Sequence, residues 1–270
     1  MFNKEEEFNQ IIRDIKSIKI QGARNVAKSA LKAYFLFPTN KSKKKLLSSR
    51  PTEPMMHHVL DLAERKFPFG QILIHFEDSQ NSINKFVLSL MKNKRRVFTH
   101  CHSTNVVNAL IYSKKNGRKF EVYNTETRPL FQGRKTAKEL SDANIKVTMF
   151  IDSVIDDALS GKQGIKKSDI IFIGADALLK NGVINKIGSE LIAKIAKQNK
   201  IPFYVIADSW KFSKDKIKLE QRDINEVWDK APKNVKIKNP AFEFVEKKYI
   251  SEIVTELGIM KYDKFAKKMK

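Results

Sequence analysis

The stretch SDIIFIGAD (168–176) opens on Ser-Asp, runs through four apolar residues and closes on Gly-Ala-Asp. A short β-branched and aromatic run bounded by polar and small residues reads as a strand buried on both faces. Four further runs read the same way: RRVFTH (95–100), KFEVYNT (119–125), IKVTMFID (145–152) and IPFYVIAD (201–208). Between them lie helix-length stretches at 104–115, 134–143, 153–160 and 185–200. Strands alternating with helices make βαβ units, which require a parallel sheet covered on both sides. The expected fold is therefore α/β, with a Rossmann-like parallel-sheet domain. Such sheets bind ligands beyond the carboxyl ends of their strands. The residues in that position are Cys101, Glu126, Asp152, Asp176 and Asp208.

Upstream of residue 95 the period is helical. Phe8, Ile11, Ile12, Ile15 and Ile18 recur at helical spacing, as do Val26, Ala27, Ala30, Leu31 and Tyr34. Pro51 and Pro54 in SSRPTEP (48–54) break the pattern. It resumes at Val59, and again from Ile72 to Leu90 after an expected turn at 67–70. The predicted organisation is a helical N-terminal domain over 1–92 and a Rossmann-like catalytic domain over 93–270.

The 270 residues are 41% hydrophobic and 30% charged, a globular composition rather than a disordered one. Length alone allows a substantial core. No apolar run reaches the roughly 18 residues of a membrane span. One cysteine cannot form an internal disulfide, so a cytoplasmic setting is expected. The formal charge of +22 raises the question of nucleic acid. However, 42 of the 52 cations are lysines, spread along the chain with one dense run at KSKKK (41–45). Base and phosphate readout favours the arginine fork. The charge thus points to a solvated surface that favours anionic metabolites over nucleic acid.

Cys101 follows a strand and precedes a helix starting near Thr104, where the helix dipole favours a thiolate. It could equally be a buried, inert cysteine. Asp176 closes an apolar strand, a setting that raises a carboxyl pKa and suits a general acid; a capping aspartate is the plain alternative. Asn185 and Lys186 are expected to open the following helix, where an anion could bind. Gly22 in Gln21-Gly22-Ala23-Arg24 lets backbone N–H groups approach a phosphate. Arg50, ahead of Pro51, and Lys211, after ADSW, are candidate phosphate contacts. His57 and His58 are expected at the surface. No glycine-rich dinucleotide motif or His/Cys cluster is seen, so neither cofactor nor metal is expected.

THCHS (99–103), ETRPLFQGRKTAKEL (126–140), IGADALLKNGVINKIGS (173–189), PFYVIADSWKF (202–212), NPAFEFV (239–245) and VTELGI (254–259) together resemble one family. It unites methylthioribose-1-phosphate isomerases, archaeal ribose-1,5-bisphosphate isomerases and the regulatory subunits of the exchange factor for translation initiation factor two. KSIKIQGARNVAKSA (16–30) and SSRPTEP fit its N-terminal part. The resemblance implies a Cys101 thiolate and an Asp176 acid acting on a sugar phosphate, a pair the regulatory subunits generally lack. THCHS looks more like the ribose-1,5-bisphosphate type than the methylthioribose type. On this resemblance Gly22, Ala23, Arg24 and Arg50 hold one phosphate and Lys211 the other. Gln132, Asn185 and Lys186 orient the sugar hydroxyls, Ser103 lies near the reacting carbons, and Thr104 and Asn105 complete the substrate contacts. Gln21 stands where the isomerases usually have Arg, and Thr104 where the ribose type often has Lys. A homo-oligomer, a dimer or an assembly of dimers, is implied as well. A methylthioribose-1-phosphate isomerase and a non-catalytic regulatory protein are the alternatives.

Overall fold

A computed structural model describes residues 3–269 apart from 216, 218 and 220. Its first part is five helices: α1 (Lys4–Lys16), α2 (Ala23–Leu36), α3 (Asn40–Ser49), α4 (Pro54–Glu64) and α5 (Phe69–Leu90). Each start has a local cause. The Asn3 side chain caps α1 with three glutamates in its first turn, Thr39 caps α3, and Pro54 opens α4. The turn expected at 67–70 is shorter, because α5 already begins at Phe69 behind Pro68. Phe8, Ile15, Leu31, Leu46, Met56, Leu60 and Phe76 form the core of this part. The second half of α5 leaves it: Ile83 and Val87 pack under the sheet instead.

The sheet begins with β1 (Arg96–Thr99) and continues through α6 (Thr104–Lys115), β2 (Glu121–Thr125), α7 (Gln132–Asp142) and β3 (Lys146–Phe150). Then come α8 (Ile155–Ser160), β4 (Ile170–Ile173), the short strands β5 (Ala177–Leu179) and β6 (Gly182–Lys186), α9 (Ser189–Gln198) and β7 (Phe203–Ile206). The chain ends in β8 (Phe242–Glu246), β9 (Glu252–Thr255), β10 (Gly258–Met260) and α10 (Tyr262–Lys268). Strand order is β10-β9-β7-β4-β1-β2-β3, parallel except for β10. The five expected strands are all present, and the C-terminal β9 and β10 extend their sheet to seven.

Period-two alternation decides the layers. Ile170 and Phe172 point to the face covered by α5, α6 and α7, while Ile171 and Ile173 point to the face covered by α8, α9 and α10. Successive strands run β1-β2-β3 one way and then return to β4 on the other side of β1. The chain therefore reverses between β1 and β4, where an open α/β sheet forms its ligand crevice.

One expectation needs correcting. Asn185 and Lys186 do not open a helix; they end β6, in a separate three-stranded antiparallel sheet ordered β5-β6-β8. Val183 and Ile184 prefer the strand, β8 pairs with them, and α9 waits until Gly188, whose φ of 102° ends the extended run. This small sheet starts just past Asp176 and folds over the carboxyl end of β4. Among the described residues no helix is long and apolar enough to cross a membrane.

Candidate active site

Cys101 follows β1 and Asp176 follows β4, so the two groups stand at the ends of the strands flanking the reversal. Both line one cleft with a volume near 160 Å³. Gln21, Gly22, Ala23, Arg24, Arg50, Ser103, Thr104, Asn105, Gln132, Asn185, Lys186 and Lys211 line it too, so the residues expected to catalyse or to hold the substrate meet here. The helical part supplies one wall through the Gln21–Arg24 turn and Arg50. The strand ends and the small sheet supply the other. Trp210, in the turn after β7, joins them: it lies against the helical core and stacks on His75 of α5 at 3.4 Å.

Cys101 has a left-handed backbone with φ 63°, unusual for a residue with a side chain. Such strain persists only where neighbours over-determine it. Here the Cys101 N–H donates to Thr127 Oγ1 at 3.0 Å, and Thr136 Oγ1 donates to the Cys101 carbonyl at 2.8 Å. Asp152 fixes that loop in turn, accepting from the Thr127 and Arg128 N–H groups at 3.0 and 2.7 Å. Ser103 caps α6. Gly174 is needed opposite it, since a Cβ there would fall 2.6 Å from Ser103 Oγ.

Burial works against the thiolate expected at Cys101. Burial pushes the Cys101 thiol up to about 12, although Lys186 pulls the other way. The dipole of α6 starts beyond Ser103 and does not offset burial. The flanking histidines offer no help as cations, because burial lowers both. His100 is wedged between Thr125 Oγ1 at 2.6 Å and the Ile187 carbonyl at 2.8 Å.

Six cations line the cleft: Arg24, Arg50, Lys135, Lys186, Lys211 and Arg222. Among the described lining residues, Asp176 is the single carboxylate. Lys186 and Lys211 are both buried, and Lys211 Nζ donates to the Ala175 carbonyl at 2.5 Å. Gln132 Oε1 is buried with no hydrogen-bond partner among the described residues, an acceptor suited to a sugar hydroxyl. Asn185 is braced by Ser189 Oγ at 2.8 Å, and Asn105 by Gln80 Oε1 at 3.0 Å. Gly22, with φ 82°, turns the chain into α2.

Lys135, Arg222, Leu130 and Phe242 also line the cleft and were not foreseen. Lys135 had a signal, lying three residues beyond Gln132 on the same helix. Arg222 and Phe242 are brought in by the chain returning to β8, which no local pattern announces. The other strand-end carboxylates stay outside the cleft lining: Glu126 pairs with Arg134 at 3.2 Å, and Asp152 serves its loop. The histidine pair is half-buried, with the His58 ring packed against Trp210 at a centroid distance of 4.6 Å. His75, Asp208 and Glu256 come within reach of a shared cation, but His75 bonds to Asp208 itself, Ser79 and Ser209 donate to the two carboxylates, and all three lie outside the cleft lining.

The profile of the Initiation factor 2 subunit family matches residues 68–262. The chain belongs to this family. It is 30% identical to the ribose 1,5-bisphosphate isomerase of Archaeoglobus fulgidus, over 94% of this chain and 89% of that protein. With the enzyme of the same name from Methanocaldococcus jannaschii it is 32% identical, over 91% and 89%. A methylthioribose-1-phosphate isomerase from Acetivibrio thermocellus is 35% identical over a shorter span, 71% and 61%. The translation initiation factor eIF-2B of Pyrococcus horikoshii OT3 has the same fold, with TM-score 0.82 at 24% identity, covering 95% and 97%. Among the members of this family, the chain is an enzyme, an isomerase like its curated relatives.

Proposed function

We propose that this chain converts ribose 1,5-bisphosphate to ribulose 1,5-bisphosphate. The observation that carries the reading is a thiol and a carboxyl at the two strand ends flanking the sheet reversal, inside a cleft lined by six cations. A bisphosphate brings close to four negative charges to a site with one carboxylate. Arg24 and Arg50 stand on the helical wall and Lys186 and Lys211 on the sheet wall, so a phosphate at each end of a five-carbon sugar meets a cation pair.

The chemistry closes without a cofactor. Asp176, protonated, gives its proton to the ring oxygen as the C1–O4 bond breaks, leaving positive charge at C1 that the phosphate-bearing oxygen shares. Hydrogen then moves from C2 to C1, and the C2 hydroxyl returns a proton to the Asp176 carboxylate. The carbonyl is now at C2 and the acid is restored.

The hydrogen can move in two ways. A Cys101 thiolate can take it from C2 as a proton and return it to C1, or it can pass directly as a hydride. Burial raises the Cys101 thiol, which favours the direct shift with Cys101 shielding C1 from water. The reading also takes the chain to act as a homo-oligomer, which light scattering on the purified protein measures.

Purified protein incubated with ribose 1,5-bisphosphate should form the ketose. Turnover of the methylthio sugar instead would reassign the substrate, and turnover of neither would remove both substrates from the reading. In D2O the direct shift leaves C1 free of solvent deuterium, whereas deuterium at C1 identifies the thiolate route.

A further inference from the structure

Behind Asp176 lies a second carboxyl that the chemistry above leaves unused. Glu53 precedes α4, is 4% exposed, and its Oε1 has no hydrogen-bond partner among the described residues. A buried carboxylate oxygen left unsatisfied is destabilising and calls for an explanation. Glu53 and Asp176 line the same small cavity, about 20 Å³, together with Arg50 and Thr52. The charged groups that act on Glu53 are Lys211, Asp176 and Arg50.

We propose that Glu53 is a positioning residue that shares its proton environment with Asp176 and keeps Asp176 protonated while the cations of the cleft work to ionise it. The inference rests on Asp176 being the ring-opening acid. The conflict it resolves is specific to this cleft. An acid must enter each turnover protonated, yet this one opens on a cleft lined by six cations, which favour an anion. Two carboxyls lining one small cavity, Glu53 buried and Asp176 half-buried, cannot both ionise cheaply, so the pair retains a proton to higher pH than either carboxyl would alone. Burial raises Glu53 to about 7, with Asp176 pushing the same way and Lys211 and Arg50 opposing. Glu53 never touches the sugar and is not consumed; it changes the occupancy of the proton that Asp176 gives and regains.

The test uses Glu53→Gln, which keeps the shape and removes the charge, with Glu53→Asp as a second variant in case the amide does not fold. Two readouts are taken. The first is carbon NMR of protein labelled at the Glu and Asp carboxyl carbons, without substrate. Wild type should show a buried glutamate titrating near neutrality, and Asp176→Asn should move that titration to lower pH. The second is the pH profile of kcat with the bisphosphate. Glu53→Gln should move its basic limb to lower pH by about one unit, so that kcat at alkaline pH falls roughly tenfold while KM holds. A merely structural Glu53 would lower activity evenly across pH.

If the Glu53 titration ignores Asp176→Asn, the two carboxyls are not coupled and the inference fails, whatever the enzyme does. If coupling is seen by NMR but no sugar phosphate turns over, the inference loses its function because the isomerase reading has failed. An unchanged basic limb in an active Glu53→Gln enzyme overturns it as well.

Discussion

The ends of β4 and β7 look alike in the sequence: FIGAD closes one and VIAD the other, each an apolar run, a small residue and an aspartate. The structure separates them. Asp176 lines the cleft, whereas Asp208 is 3% exposed and accepts from Ser79 Oγ at 2.6 Å and the Trp210 N–H at 2.9 Å, with His75 Nε2 at 3.1 Å. One carboxyl lines the ligand cleft and the other is a joint between sheet and helical wall. A strand-end carboxylate therefore identifies the correct edge of the sheet without identifying its use. Position beside the reversal distinguishes the two, since β4 borders it and β7 does not.

The sharpest way to break that comparison is to exchange the chemistry at each end. Asp176→Asn keeps the shape but cannot donate a proton, and kcat should fall by roughly 10² to 10⁴. Cys101→Ser should cost at least roughly a hundredfold by either route, through loss of the base or through water reaching C1. Substrate should still bind both variants, visible as calorimetric heats near those of wild type. Near-native turnover in either variant removes that residue from the mechanism.

The corresponding change at β7 should act on stability. Asp208→Ala leaves the Ser79 hydroxyl, the Trp210 N–H and His75 without their acceptor, and should lower unfolding free energy by about 3 kcal/mol. Burial alone would raise the Asp208 carboxyl, but His75, Ser79 and the Trp210 N–H outweigh it and hold it below its ordinary value. A depressed carboxyl contributes stability that is present above the unfolded carboxylate range, about pH 4, and is lost as pH falls through the folded value. Urea titrations should show this acid loss in wild type and a flatter dependence in Asp208→Asn. An equal acid loss in that variant would assign it to another group.

What was legible in the sequence follows the same division. The alternation of strand and helix, the strand-end residues and the Gln21–Arg24 turn are local, and local patterns recover them. The small sheet was missed because half of its support is remote: β6 pairs with β8, some 60 positions away. Its hairpin did carry a signal, Asn181-Gly182 between two apolar runs. The burial around Cys101 was not legible for a different reason. Its place before a helix is visible in the sequence, but the depth that raises its pKa arises when the helical part covers the sheet.

The smallest expected effect concerns the helical wall, where Asp208 reaches indirectly into the cleft. Gln21 is exposed and uncharged at the rim, and Arg24 lines the cleft one turn of chain away. Arg24 is not wholly at the ligand's disposal: its guanidinium lies 5.5 Å over the Phe76 ring. Burial disfavours its charge, while Asp208 and Glu77 answer it. An answered cation has less to give a phosphate, so a recovered charge at Gln21 should still be useful. Gln21→Arg should lower KM for the bisphosphate by up to about tenfold, the ~1.4 kcal/mol of one charge-assisted contact, and the gain should shrink in salt. Arg24→Ala should raise KM by less than that, because Asp208 and Glu77 keep part of its charge. Asp208→Asn should then release Arg24 toward the ligand, so that Gln21→Arg adds less in that background than in wild type. A silent Gln21→Arg beside a strongly weakened Arg24→Ala would reverse the assignment: Arg24 would serve the phosphate alone, and the β7 carboxyl would have no hold on the cleft.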